Sequence, residues 1–132
     1  MKTPILLFIL SLPAIQISAQ SLPGWLRGSW AGTGYQTDTN TTWTMRLDVG
    51  ETQAKVSYPS LGCSGHWRLR SQDKKNQVDF EERITSDKTP PACANGEYVR
   101  VHYRTNSQIL IEFTHPWSPD NIVATVILNR LP

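Results

Sequence analysis

After its first nineteen residues the chain has no apolar run long enough to span a bilayer, which excludes a later membrane-crossing helix. It also lacks an excess of either charge: 13 Lys and Arg stand against 11 Asp and Glu, a formal net charge of +2, with the two signs interspersed. No phosphate-tracking stripe forms, so a nucleic-acid partner is not expected. Cysteine is reduced to Cys63 and Cys93, which do not have zinc-ligand spacing. His66, His102 and His115 show neither His-x-His nor His-Glu-x-x-His spacing, so no metal is expected. Ser64, in Gly62-Cys63-Ser64-Gly65, misses both the Gly-x-Ser-x-Gly nucleophile turn and its strand-to-helix context. No catalytic residue and no cofactor are therefore expected, and the chain reads as a non-enzyme. Amphipathic helical periodicity, internal repeats and low-complexity tracts are missing as well.

What is present begins with a leader. Lys2 supplies a positive start, an apolar stretch follows from Pro4 to Ile17, and Ile17-Ser18-Ala19 resembles a cleavage site. Residues 1–19 are expected to be a signal peptide, cleaved before Gln20, and residues 20–132 a single exported domain in the medium or the periplasm. No Cys follows the cleavage site, which argues against a lipoprotein anchor. The leader looks bacterial, so the Asn40-Thr41-Thr42 sequon is not counted as a glycosylation site. In an oxidising compartment Cys63 and Cys93 most simply form one disulfide. Closing a loop of that length stabilises a fold by roughly 3–4 kcal/mol.

From Trp30 to Arg130 apolar and polar residues alternate in short stretches, punctuated by Gly, Pro, Asn, Asp and Ser. Trp43, Met45, Leu47 and Val49 share one face of the clearest strand, with Thr42, Thr44, Arg46 and Asp48 on the other. Comparable inward sets are Ala54, Val56 and Tyr58; Trp67 and Leu69; Val78, Phe80 and Ile84; Val99, Val101 and Tyr103; and Ile109, Ile111 and Phe113. Residues 21–28 form a turn or short plug before the first strand, which runs over 30–36. Residues 59–65, 86–96 and 115–121 are expected as loops. The result is an all-β domain of about eight strands at hairpin spacing, read as an antiparallel up-and-down barrel with a β-sandwich as the alternative.

Glu82 stands out because the strand period places it between Phe80 and Ile84 on the core face, where an unpaired carboxylate is costly. It is either an anchor in a binding cavity, a buried partner for Arg130 or Arg104, or an outward residue after a one-residue slip that exchanges it with Glu81. Trp43, Trp67, Tyr58 and Tyr103 either line a cavity with it or fill the core. Trp25 and Trp117, in loops or at the rim, are candidates for partner contact, as is Leu61. Trp117 lies in the proline-stiffened run His115-Pro116-Trp117-Ser118-Pro119-Asp120.

The run Gly28-Ser29-Trp30 after a short plug, with Arg130 at the far end, resembles the Gly-x-Trp entry of the calycin group, which includes lipocalins and avidins. That resemblance implies a barrel whose Trp30 closes one end against the basic residue Arg130. A second resemblance covers residues 58–130. Tyr58-Pro59-Ser60-Leu61-Gly62-Cys63-x-Gly65, Phe80-Glu81-Glu82-Arg83-Ile84, Cys93, Gly96 and Ala124-Thr125-Val126-Ile127-Leu128-Asn129-Arg130 are similar to extracytoplasmic tails of some actinobacterial serine/threonine kinases. It implies an extracytoplasmic domain that senses or binds. The leading expectation is a non-catalytic module for a small molecule or glycan. The alternative is an inhibitor or immunity-type protein that blocks a secreted or periplasmic enzyme through the loops around Leu61 and Trp117.

Overall fold

The computed structural model describes residues 3–4 and 20–132, so the expected leader lies almost wholly outside the described residues. Eight strands follow one another: β1 (Gly28–Gln36), β2 (Thr41–Val49), β3 (Ala54–Tyr58), β4 (Cys63–Ser71), β5 (Gln77–Ser86), β6 (Tyr98–Thr105), β7 (Gln108–His115) and β8 (Ser118–Arg130). Each pairs antiparallel with the next, and β1 pairs back onto β8, closing an up-and-down barrel rather than a sandwich. Closure leaves no unpaired sheet edge. The alternation read in β2 is the alternation of burial, with Trp43, Met45, Leu47 and Val49 inside. Turns are tight where the sequence supplies residues that tolerate a left-handed backbone, as Asn40 (φ 54°) before β2 and Asn76 (φ 60°) before β5.

The two ends of the barrel differ. At one end residues 21–27 fold across the opening, with Leu22 and Leu26 buried. Each of these side chains contributes roughly 1.5–3 kcal/mol by leaving water. The Trp30 indole is fully buried and donates from Nε1 to the Leu26 carbonyl at 2.9 Å. Arg130 lies 4.1 Å over that indole ring. It donates to three backbone carbonyls: from Nε to Asn106 at 2.8 Å, from Nη1 to Arg27 at 2.6 Å and from Nη2 to Trp25 at 3.0 Å. Gly28 is required here on two counts. Its φ is +126°, and a Cβ would stand 2.6 Å from the Arg130 guanidinium. At the opposite end the β1–β2, β3–β4, β5–β6 and β7–β8 connections surround an open mouth.

Several sequence expectations are corrected. The first strand starts at Gly28, two residues early, because its pairing with β2 runs to Gly28↔Val49. The loop expected over 59–65 stops short, since Tyr58 pairs with Cys63. The long loop expected over 115–121 is a two-residue hairpin turn, Pro116-Trp117, with β8 already beginning at Ser118. Register shifts beside Thr114 open the ladder there, and Pro119, whose missing N–H would break a regular ladder, is tolerated in this irregular stretch. Tyr103, grouped with the cavity aromatics, lies at the closed end. Its ring packs edge-on against Trp25 at 5.6 Å and its hydroxyl donates to Asn106. Trp25 is itself half-buried in the plug rather than standing free at a rim.

Replacing Arg130 by Met keeps much of the aliphatic stem and removes two donors to the plug and one to the β6–β7 turn. Urea denaturation is expected to show a loss on the order of 2 kcal/mol, because one part-buried and two exposed carbonyls lose a charged donor. An unchanged midpoint would mean that the plug is held by its leucines alone.

Candidate functional site

The open mouth leads into a cavity of about 240 Å³ whose walls include Trp43, Tyr58, Glu82, Glu97, Phe113 and His115. Each side chain arrives there by strand parity. Trp43 stands edge-on to Tyr58 at 5.3 Å and to Phe113 at 5.8 Å, so the indole is nearly perpendicular to each of these rings. Gly34 makes room for the indole, since a Cβ at that position would lie 2.6 Å from its ring carbons. Leu61, Cys93 and Val123 belong to the rim.

The register settles the direction of Glu82. Trp67 is opposite Glu82 and Leu69 opposite Phe80, in phase, so no slip falls between them. Glu82 is buried at 3 % exposure. Glu81 faces outward and pairs with Arg68 at 2.8 Å and Arg83 at 3.0 Å. Neither Arg130 nor Arg104 reaches Glu82, because Arg130 is committed to the closed end. Its donors are instead Tyr58 Oη and, at 2.8 Å, Trp67 Nε1, both on Oε2. Oε1 has no donor among the described residues. Trp67 therefore acts on the site through this bond and does not itself line the cavity.

Glu97 was not anticipated, although counting back by twos from Val101 and Val99 places it inside. Backbone bonds from Glu82 N to Glu97 O (2.8 Å) and from Gly96 N to Glu82 O (3.0 Å) set the two acids side by side. Like charges facing each other across a ladder are unfavourable, and the site relieves the conflict on both sides. Burial, together with the charge of Glu97, raises the Glu82 carboxyl from its ordinary 4.5 to about 7, against the opposing pull of the Tyr58 and Trp67 donors. Glu97 takes His115 Nδ1 on Oε1 at 2.8 Å. Burial and the adjacent Glu82 push the Tyr58 phenol well above its usual range, so it remains a donor. His115 was also missed as a wall residue, though the period of Ile109, Ile111 and Phe113 reaches it.

Two buried polar atoms of the wall residues have no partner among the described residues: Trp43 Nε1 and Glu97 Oε2. Trp117, 78 % exposed at the hairpin tip, stacks on His115 with ring centroids 4.5 Å apart and planes 11° from parallel. Cys63 and Cys93 form the disulfide, which ties the long β5–β6 connection to the start of β4 beside the mouth. Asp87, near that bridge, is spent on the backbone N–H groups of Ala92 and Cys93. No family model, curated protein or solved structure matches the chain.

Glu82 holds its proton more tightly in the fold, at about 7, than at its ordinary value of 4.5. The native state thus carries the extra proton between these values, and stability falls as pH rises through that window. Each tenfold gain in proton affinity on folding is worth about 1.4 kcal/mol, so the loss is about 3 kcal/mol. Glu82→Gln should lack this component, so its stability relative to the parent should climb by about that amount between acid and mildly alkaline pH. Acids with lowered pKa values, such as Asp48 held by Ser29, act in the opposite sense and cancel in the comparison. A pH-independent difference would show that Glu82 is not buried as described.

Proposed function

We propose that this protein is an exported, non-catalytic binding module that takes a small molecule or glycan into the open end of its barrel. The observation that carries the proposal is the aromatic-walled cavity containing convergent polar groups, two of them buried without a partner. Concave, largely apolar sites with a few placed polar atoms are where small ligands bind, and a buried polar atom left unpaired costs about 1–3 kcal/mol, which a ligand can recover. The disulfide beside the mouth supports export, since such bonds persist in oxidising compartments. The closed barrel and the Trp30–Arg130 contact support kinship with calycin barrels, and the kinase-tail resemblance supports an extracytoplasmic sensing or binding role.

A second reading rests on Trp117. A largely exposed indole, stiffened between prolines and stacked on His115, is the kind of residue that anchors a protein interface, and Leu61 lies on the same rim. In that reading the open end inserts into a secreted or periplasmic enzyme and inhibits it.

Ala124 is buried on the cavity wall, so Ala124→Leu should fill the cavity without unfolding the barrel. In a thermal-shift screen against sugars, amino acids, amines and aromatic alcohols, the parent is expected to respond to some members and Ala124→Leu to none of them. Trp117→Ala should largely preserve those responses. Responses kept in full by Ala124→Leu and abolished by Trp117→Ala would move the binding surface to the hairpin tip and favour the second reading.

A further inference from the structure

Resting on the cavity reading above, we infer that the open end of the barrel selects an organic cation: an amine whose ammonium head sits at Glu82 and Glu97 and whose apolar body lies against Trp43, Tyr58 and Phe113. The charge balance of the wall is the first reason. The cavity is lined by two carboxyl groups and by no Lys or Arg among the described residues, although the chain as a whole is +2. His115 is the single basic side chain on the wall, and its Nδ1 is held by Glu97 Oε1.

Hydrogen-bonding capacity is the second reason. Glu97 is only 7 % exposed, yet its Oε2 has no partner. Glu82 is only 3 % exposed and receives both of its donors on Oε2, leaving Oε1 to the ligand. An ammonium offers three donors and no acceptor, which suits two acceptor oxygens set side by side, one on β5 and one just before β6. A carboxylate or phosphate ligand would instead meet acceptors on the wall and pay for repulsion on entry. A neutral alcohol has one donor for the two oxygens.

Shape and dielectric supply the third. About 240 Å³ equals the liquid volume of about eight waters, enough for a small amine and too little for a long acyl chain or an oligosaccharide. Aromatic rings around a desolvated ammonium add cation–π attraction. Burial and the neighbouring Glu97 raise the Glu82 carboxyl to about 7, so below neutrality it keeps its proton when the cavity is empty. The groups that face Glu82 are Tyr58 from β3, Trp67 from β4, Glu97 beside it and His115 across the cavity. An entering cation brings positive charge beside Glu82 and favours its ionised carboxylate. The Glu82 proton then leaves to solvent, so binding below neutral pH should release close to one proton per ligand.

The test uses three probes of one shape: phenethylamine (cation), phenethyl alcohol (neutral) and 3-phenylpropionate (anion). Binding is measured by calorimetry in two buffers of different ionisation enthalpy, which counts protons. The amine is expected to bind at least about tenfold tighter than the alcohol, and the propionate not to bind. Proton release should approach one at about pH 6 and fall towards zero at about pH 8.5. Glu82→Gln should cost the amine about tenfold and abolish the release while sparing the alcohol. Glu97→Gln, a second variant should the first fold poorly, should also cost the amine about tenfold. Equal binding of amine and alcohol, or tighter binding of the propionate, would overturn the cation assignment and leave the cavity reading standing. Binding by none of the three would overturn both.

Discussion

Pairing of β1 with β8 is the constraint on which the rest of the structure depends. A sheet of eight short strands left open would expose two edges and could not hold an interior. Joined through Trp30↔Arg130 to Gln36↔Ala124, it encloses one row of side chains from every strand. Arg130 is the element that makes this junction specific. It binds the last strand to the first through the face of Trp30, ties the plug through two carbonyls and holds the β6–β7 turn through a third. One end of the barrel is thereby committed to packing, and any chemistry must lie at the other.

At that other end the interior departs from the rules that govern the core. Core positions are apolar because unpaired charge is costly there, yet two acids stand abreast, one on β5 and one at the end of the connection leading into β6. They coexist because one is protonated near neutrality and the other is paired with His115. Such an arrangement contributes little to stability, and an apolar pair would hold the barrel at least as well. Polar strain confined to a concave, aromatic-walled mouth is what a binding site requires, and the disulfide and the two-proline hairpin brace its rim.

Much of this was legible in the residues. The period of two gave the strands and the faces of Trp43, Tyr58 and Trp67, and placed Glu82 inward with a slip to Glu81 left open until the register closed it; the two cysteines gave the bridge. Glu97 and His115 were equally accessible to the same count but were passed over, Glu97 because it abuts an irregular connection and His115 because two prolines suggested a loop. Tyr103 was misplaced for a different reason. Parity tells which face a side chain takes and nothing about how far along the barrel axis it lies, and Tyr103 sits near the closed end of β6 while Glu82 sits near the open end of β5.

The sequence by itself determined the all-β class and the alternation that separates interior from surface, since these follow from local periodicity; the capping pair Trp30 and Arg130 was implied by the calycin resemblance. Only the tertiary structure decided which residues meet. Shear between strands sets the height at which each side chain enters the interior, and that height brought Glu82 to Tyr58, Trp67 and Glu97 instead of to an arginine. The chemistry of the mouth arises from that meeting, between residues up to 39 positions apart along the chain, from Tyr58 to Glu97, and no local pattern encodes it.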